Sequence, residues 1–65
     1  MILTAASEIK KGDTICESDG FMWIVSNVTE TEQFRTFALE PLYPTMLREA
    51  TSTVRVKKSA RVWIA

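Results

Sequence analysis

The stretch Asp13-Thr14-Ile15-Cys16-Glu17-Ser18-Asp19-Gly20-Phe21-Met22-Trp23-Ile24-Val25 decides the fold class. Two β-prone runs flank Asp19-Gly20, and Asp-Gly is a strong hairpin signal because a type I′ turn needs positive φ at both central residues. With Asp19-Gly20 as a two-residue loop, the expected register sets Ser18 opposite Phe21, Cys16 opposite Trp23 and Ile15 opposite Ile24. The second run is apolar on both faces: Phe21, Trp23 and Val25 on one, Met22 and Ile24 on the other. Val28 then follows Val25 out of alternation, which predicts a bend or bulge near Ser26-Asn27. Strong bending with both faces partly covered is how a short sheet curls into a barrel.

Outward from this hairpin the period stays close to two. After the polar turn Thr29-Glu30-Thr31-Glu32, the run Gln33–Glu40 puts Phe37 and Leu39 on one face and Phe34 out of phase with them. Pro41 and Pro44 end that strand, and Thr45–Ala50 has the look of a short helical turn. In Thr53–Ile64 the even positions Val54, Val56, Ala60, Val62 and Ile64 keep one phase, while Arg55, Lys57, Arg61 and Trp63 keep the other. A kink at Lys58-Ser59-Ala60 divides this run in two. Upstream, Ser7–Lys11 reads as a turn around Ile9 that Gly12 ends with positive φ. The apolar ends Ile2-Leu3 and Val62-Trp63-Ile64 are expected to pair into the sheet, because unpaired termini fray. The expectation is an all-β single domain over residues 1–65: a small, five-stranded, strongly bent sheet or barrel with a short helical turn near 45–50.

The order Ile9-Lys10-Lys11-Gly12-Asp13-Thr14-Ile15, an Asp-Gly hairpin and Met22-Trp23-Ile24-Val25 resembles the opening of Src-homology-3-like small barrels. KOW-type domains and small phage-encoded orphan proteins open in a similar way. The closing Val54–Ile64 run is similar to the final strand pair of such barrels, joined by a tight turn. The chain carries neither an Ala-Leu-Tyr-type peptide groove motif nor a full KOW set of basic and glycine positions. The resemblance therefore implies a fold, and a setting as a phage-type accessory or assembly factor, without a specific ligand.

Composition narrows the function. The chain has 65 residues, 46% hydrophobic, with eight Lys/Arg against eight Asp/Glu, one Cys and no His. That length holds one domain, and a domain this small buries only about 60% of the surface its unfolded chain exposes. One Cys closes no internal disulfide and, without His, builds no zinc site. No His stands ready as a base near neutral pH, and there is no Gly-rich phosphate loop or Gly-x-Ser-x-Gly elbow, so an enzyme is not expected. Cys16, on a strand with no His partner, reads as a small buried hydrophobe. Asp13, Glu17 and Asp19 read as solvated turn residues rather than a cation site. Neither cofactor nor metal is expected. No run approaches the roughly 18 apolar residues of a membrane span, and the start lacks a basic n-region and an h-region. With the single thiol, this gives a cytoplasmic protein as the expectation.

Two surfaces are left to do work. Leu42, Tyr43, Met46 and Leu47 crowd a segment where polar residues are the rule, either as a lid over a barrel end or as an anchor for a protein partner. The charge is also polarised. Residues 1–50 hold four bases against all eight acids, and residues 51–65 hold Arg55, Lys57, Lys58 and Arg61 with no acid. On a regular strand Arg55, Lys57 and Arg61 line one face with Trp63, as a single-stranded nucleic acid site requires. Protein–protein interaction is the preferred reading. Nucleic-acid binding through Arg55, Lys57, Arg61 and Trp63, and homo-oligomerisation by edge-strand pairing, are the alternatives.

Overall fold

The computed structural model describes residues 1–43 and 51–65. The expected helical turn near 45–50 lies outside the described residues, as do Met46 and Leu47. The elements are β1 (Ile2–Ala5), a 3-10 turn (Ala6–Glu8), β2 (Thr14–Cys16), β3 (Met22–Glu30), β4 (Phe34–Pro41), β5 (Ser52–Lys57) and β6 (Arg61–Ile64). All pairings are antiparallel, in the order β1-β6-β2-β3-β4-β5. The sheet thus has six strands rather than the expected five, because Ile2–Ala5 forms a strand of its own against β6. It is also open rather than closed into a barrel, with β1 and β5 as its edges.

The sheet nonetheless folds back on itself. In a flat sheet β5 and β6 would lie four strand spacings apart, about 19 Å. The four peptide steps from Lys57 to Arg61 reach at most about 14 Å, so the tight connection through Lys58-Ser59-Ala60 forces the curl. The bulge in β3 provides part of it. Val25 pairs with Leu39 and Asn27 with Ala38, so Ser26 is the extra residue, and its hydroxyl donates to the Ala38 carbonyl at 3.1 Å. The inserted residue reverses the phase of β3: Val25 before it and Val28 after it both turn toward the core, while Asn27 is exposed.

The first hairpin differs from the expected register by one residue. Ile15 pairs with Trp23 and Cys16 with Met22, which leaves a three-residue loop, Ser18-Asp19-Gly20. Glu17 N–H donates to Phe21 O, Gly20 N–H to Glu17 O, and Gly20 alone takes positive φ, at 84°. This is a type I turn closed by a left-handed glycine. Asp19 keeps negative φ, and its carboxylate accepts from Phe21 N–H at 2.8 Å. A Cβ at position 20 meets nothing within 4 Å, so Gly20→Ala tests backbone conformation alone. It is expected to lose about 1–2 kcal/mol, read as a lower urea midpoint at unchanged slope, and Gly20→Asn should recover much of it. Equal midpoints for all three chains would contradict the turn assignment.

Pro41 ends β4 at a position that needs no N–H. Leu42 N–H donates to Met22 O at 3.0 Å, so by ladder alternation the neighbouring Trp23–Pro41 pair exchanges no bonds on the β3 side. On the other side β5 has already stopped, its last pair being Leu39–Ser52.

The core gathers Ala6, Ile9, Ile15, Trp23, Val25, Phe37 and Leu39, with Phe21, Val28, Val56, Val62 and Ile64 packed around it. Ala6 and Ile9, both fully buried, bring the 3-10 turn over the core beside the β5–β6 corner, where Ala6 N–H bonds Ala60 O and Ser7 N–H bonds Lys58 O. Arg35 fastens this turn from the opposite strand. Its Nη1 donates to the carbonyls of Ala6 at 2.9 Å and Ser7 at 2.8 Å, and its Nε lies 3.5 Å from Glu30. Glu30 in turn holds Lys58 at 3.2 Å.

Candidate protein-docking site

The expected site residues are dispersed by the fold. Leu42 is half-buried, tied by its backbone to Met22, and Tyr43 beyond it is 72% exposed. The basic residues do not share one strand face. Arg55 and Lys57 stand on edge strand β5, whereas Arg61 and Trp63 stand on β6, second from the opposite edge. The kink at Lys58–Ala60 is what separates them. On β5 the Arg55 guanidinium lies over the Phe34 ring, 4.3 Å from its centroid, and Phe34 pairs with Lys57. This explains Phe34, the aromatic out of phase with the core: it supports the cationic outer face. Lys58 is neutralised by Glu30, while Arg55, Lys57 and Arg61 have no ion-pair partner among the described residues.

The two tryptophans have opposite fates. Trp23 is buried, its ring 5.0 Å from that of Phe21, and belongs to the core. Trp63 is 49% exposed and pairs with Leu3 on β1, itself 41% exposed, while Ile2 and Met1 beside it are still more open. Met1 and Trp63 also line a surface hollow of about 340 Å³ together with Cys16, Glu17, Ser18 and Gly20 at the hairpin tip. Cys16 faces Met22 rather than Trp23 and is buried as a free thiol.

The open apolar side of β1 has no signature in the sequence. Pairing of the two termini was legible from their hydrophobicity, but pairing satisfies only the backbone. Exposure of Ile2, Leu3 and Trp63 follows from β1 being the last strand of the sheet, with nothing laid over it among the described residues. Natural edge strands are usually guarded by charge, proline or bulges, yet Ile2–Ala5 contains none of these.

A second hollow lies inside the curl. About 350 Å³ in volume, it is lined by Ile15, Phe37, Leu39, Val54, Val56 and Val62, with Glu17, Ser52 and Thr53 at its rim. β5 and β6 do not pair, and the hollow lies between the inner face of β5 and the residues Ile15 and Val62 of β2 and β6.

The acidic residues of the first hairpin serve turns. Asp13 accepts from Lys10 N–H at 2.9 Å and Asp19 from Phe21 N–H. Among the described residues no three His, Cys, Asp or Glu side chains gather as a metal site, and no helix is long and apolar enough to cross a membrane. Comparison with known proteins finds no matching family model, no matching curated protein and no matching solved structure.

Proposed function

We propose that this protein is a non-catalytic binding module that takes a protein partner onto the open edges of its sheet. The observation that carries this reading is the uncharged edge strand β1, whose exposed Leu3 pairs with the exposed Trp63 on one face of the sheet while Ile2 is open on the other. Free strand edges offer main-chain hydrogen bonds, and a neighbouring aromatic such as Trp63 supplies the anchor that dominates binding energy at interfaces. Tyr43 with Leu42, and Met46 and Leu47 beyond them, belong to the same reading as an additional anchor. The resemblance to Src-homology-3-like barrels is compatible with it: a long bulged strand and a tight corner between the last two strands speak for that relationship, while the sheet is open and the 3-10 turn lies between β1 and β2. A small accessory or assembly factor is the setting such a module suits.

The nucleic-acid alternative is weaker on this fold, because its four residues divide between β5 and β6, which do not pair, and so do not line one strand face as that site requires. Affinity capture with the parent and with Trp63→Asp, each with and without nuclease, tests the two together. The expected result is a protein partner that survives nuclease and binds the variant at least about tenfold more weakly, with circular dichroism unchanged. Loss of all capture on nuclease treatment, or equal capture by the variant, would overturn this reading. Mass across a dilution series identifies the case in which the partner at β1 is a second copy.

A further inference from the structure

We infer that the β5 edge receives an extended peptide in which apolar and acidic residues alternate. The inference rests on the reading of the protein as an edge-binding module, and names the chemistry that one edge selects.

The backbone of β5 is set for strand addition. Lys58 N–H donates to Gln33 O at 2.9 Å, in phase with the β4–β5 register. Antiparallel ladders alternate bonded and non-bonded pairs, so Val56, Val54 and Ser52 direct their main-chain groups at β4. Thr53 and Arg55 direct theirs to the free side, where no other strand pairs with β5 among the described residues. Together they present two N–H donors and two C=O acceptors.

Side-chain alternation then dictates what the added strand must carry. On the inner face Val54 and Val56 line the largely apolar hollow of about 350 Å³ with Ile15, Phe37, Leu39 and Val62, and Glu17 at its rim keeps the inward positions of an added strand uncharged rather than acidic. Every second residue of an incoming strand enters that space and gains by being aliphatic or aromatic. On the outer face the intervening residues stand beside Arg55 and Lys57, neither of which has an ion-pair partner among the described residues. The Phe34 ring holds the Arg55 guanidinium in place at 4.3 Å, so little side-chain freedom is left to lose on binding. Opposite charges across a strand pair attract and like charges repel, so carboxylates are selected at these positions. The same charges act against a second copy of β5, whose own Arg55 and Lys57 would face them. A nucleic acid has no amide ladder for Thr53 and Arg55 and nothing apolar to place regularly in the hollow.

The test is an amide-resolved NMR titration of the intact chain with four probes: a short peptide alternating Val and Glu, its isomer with Val and Glu in blocks, the alternating Val and Lys peptide, and oligouridylate. The alternating Val–Glu peptide is expected to perturb Thr53 and Arg55 and slow their hydrogen exchange, with both other peptides at least about tenfold weaker. Arg55→Glu combined with Lys57→Glu should exchange the preference toward the Val–Lys peptide. This outcome demonstrates that the edge is folded and competent, since both substituted side chains are exposed. Equal binding of the block isomer, absence of binding by any peptide, or displacement of the peptide by oligouridylate would overturn the inference. Perturbation at Leu3 and Trp63 instead of Thr53 and Arg55 would also overturn it, while leaving the wider protein-docking reading intact.

Discussion

Replacing Arg35 by Met is expected to lower the melting temperature by roughly 8–16 °C, whereas Glu30→Gln should move it by only a few degrees. The difference follows from what each partner of Arg35 can do without it. The guanidinium donates to two successive carbonyls of the 3-10 turn while its side chain is only 12% exposed. Charge-assisted bonds of this kind contribute about 1.5–3 kcal/mol each. The loss is smaller than their sum, because the Ala6 carbonyl also accepts from Ile9 N–H and the exposed Ser7 can turn its carbonyl to water. About 2 kcal/mol is therefore the expected cost, and in a domain of this size each kcal/mol moves the transition by about 4–8 °C. Met keeps the aliphatic stem, so packing beneath the turn is little changed. The carboxylate of Glu30 is more than half exposed, and ion pairs with such a group contribute at most about 1 kcal/mol. High salt should accordingly leave the Arg35→Met deficit almost intact. An unshifted melt for Arg35→Met would mean that the turn is held by Ala6 and Ile9 packing alone.

Arg35 also marks the limit of what the chain reveals by inspection. The reversal of phase between Val25 and Val28, the core face of Phe37 and Leu39, and the break at Lys58–Ala60 were all legible, because each is written as side-chain periodicity. The partners of Arg35 are main-chain carbonyls of Ala6 and Ser7, far away in sequence, and a carbonyl has no residue-type signature. The hairpin register escapes inspection for a related reason. Asp-Gly favours a two-residue turn in general, but here Asp19 keeps negative φ while its carboxylate accepts from Phe21 N–H, and the turn is type I with a left-handed Gly20. The shift exchanges the neighbours of Cys16 without exposing it, since both faces of β3 carry apolar residues at that end. Position in the sheet was equally hidden. Nothing local tells whether Leu3 and Trp63 lie at an edge or in the middle, nor that Arg55 and Arg61 end on strands at opposite sides of the order. The candidate surfaces thus became readable only once strand order was known, although every residue in them was visible from the start.

Phe37→Ala carries the largest expected loss of stability, about 3–5 kcal/mol. Phe37, Ile9 and Val25 are the largest fully buried side chains, and Phe37 alone of these also borders the inner hollow. At roughly 0.05–0.15 kcal/mol per residue, a chain of this length has about 3–10 kcal/mol in total, so the alanine variant should lose most of its cooperative unfolding transition. Relaxation cannot offset much of this. Phe37 sits on β4 between two paired strands, with Val28 in register on one side and Val54 on the other, so the backbone cannot close over the gap. The cavity would instead merge with the hollow beside Val54 and admit water to the underside of the sheet. Phe37→Leu removes less volume and is expected to lose only about 1–2 kcal/mol, leaving a folded domain with a widened hollow. That variant should bind an alternating acidic peptide carrying Leu or Phe in place of Val relatively better than the parent does, as measured by the same titration. If Phe37→Ala unfolds within a few degrees of the parent, the centre of the core lies elsewhere, and the hollow beside β5 cannot be the space its side chain encloses.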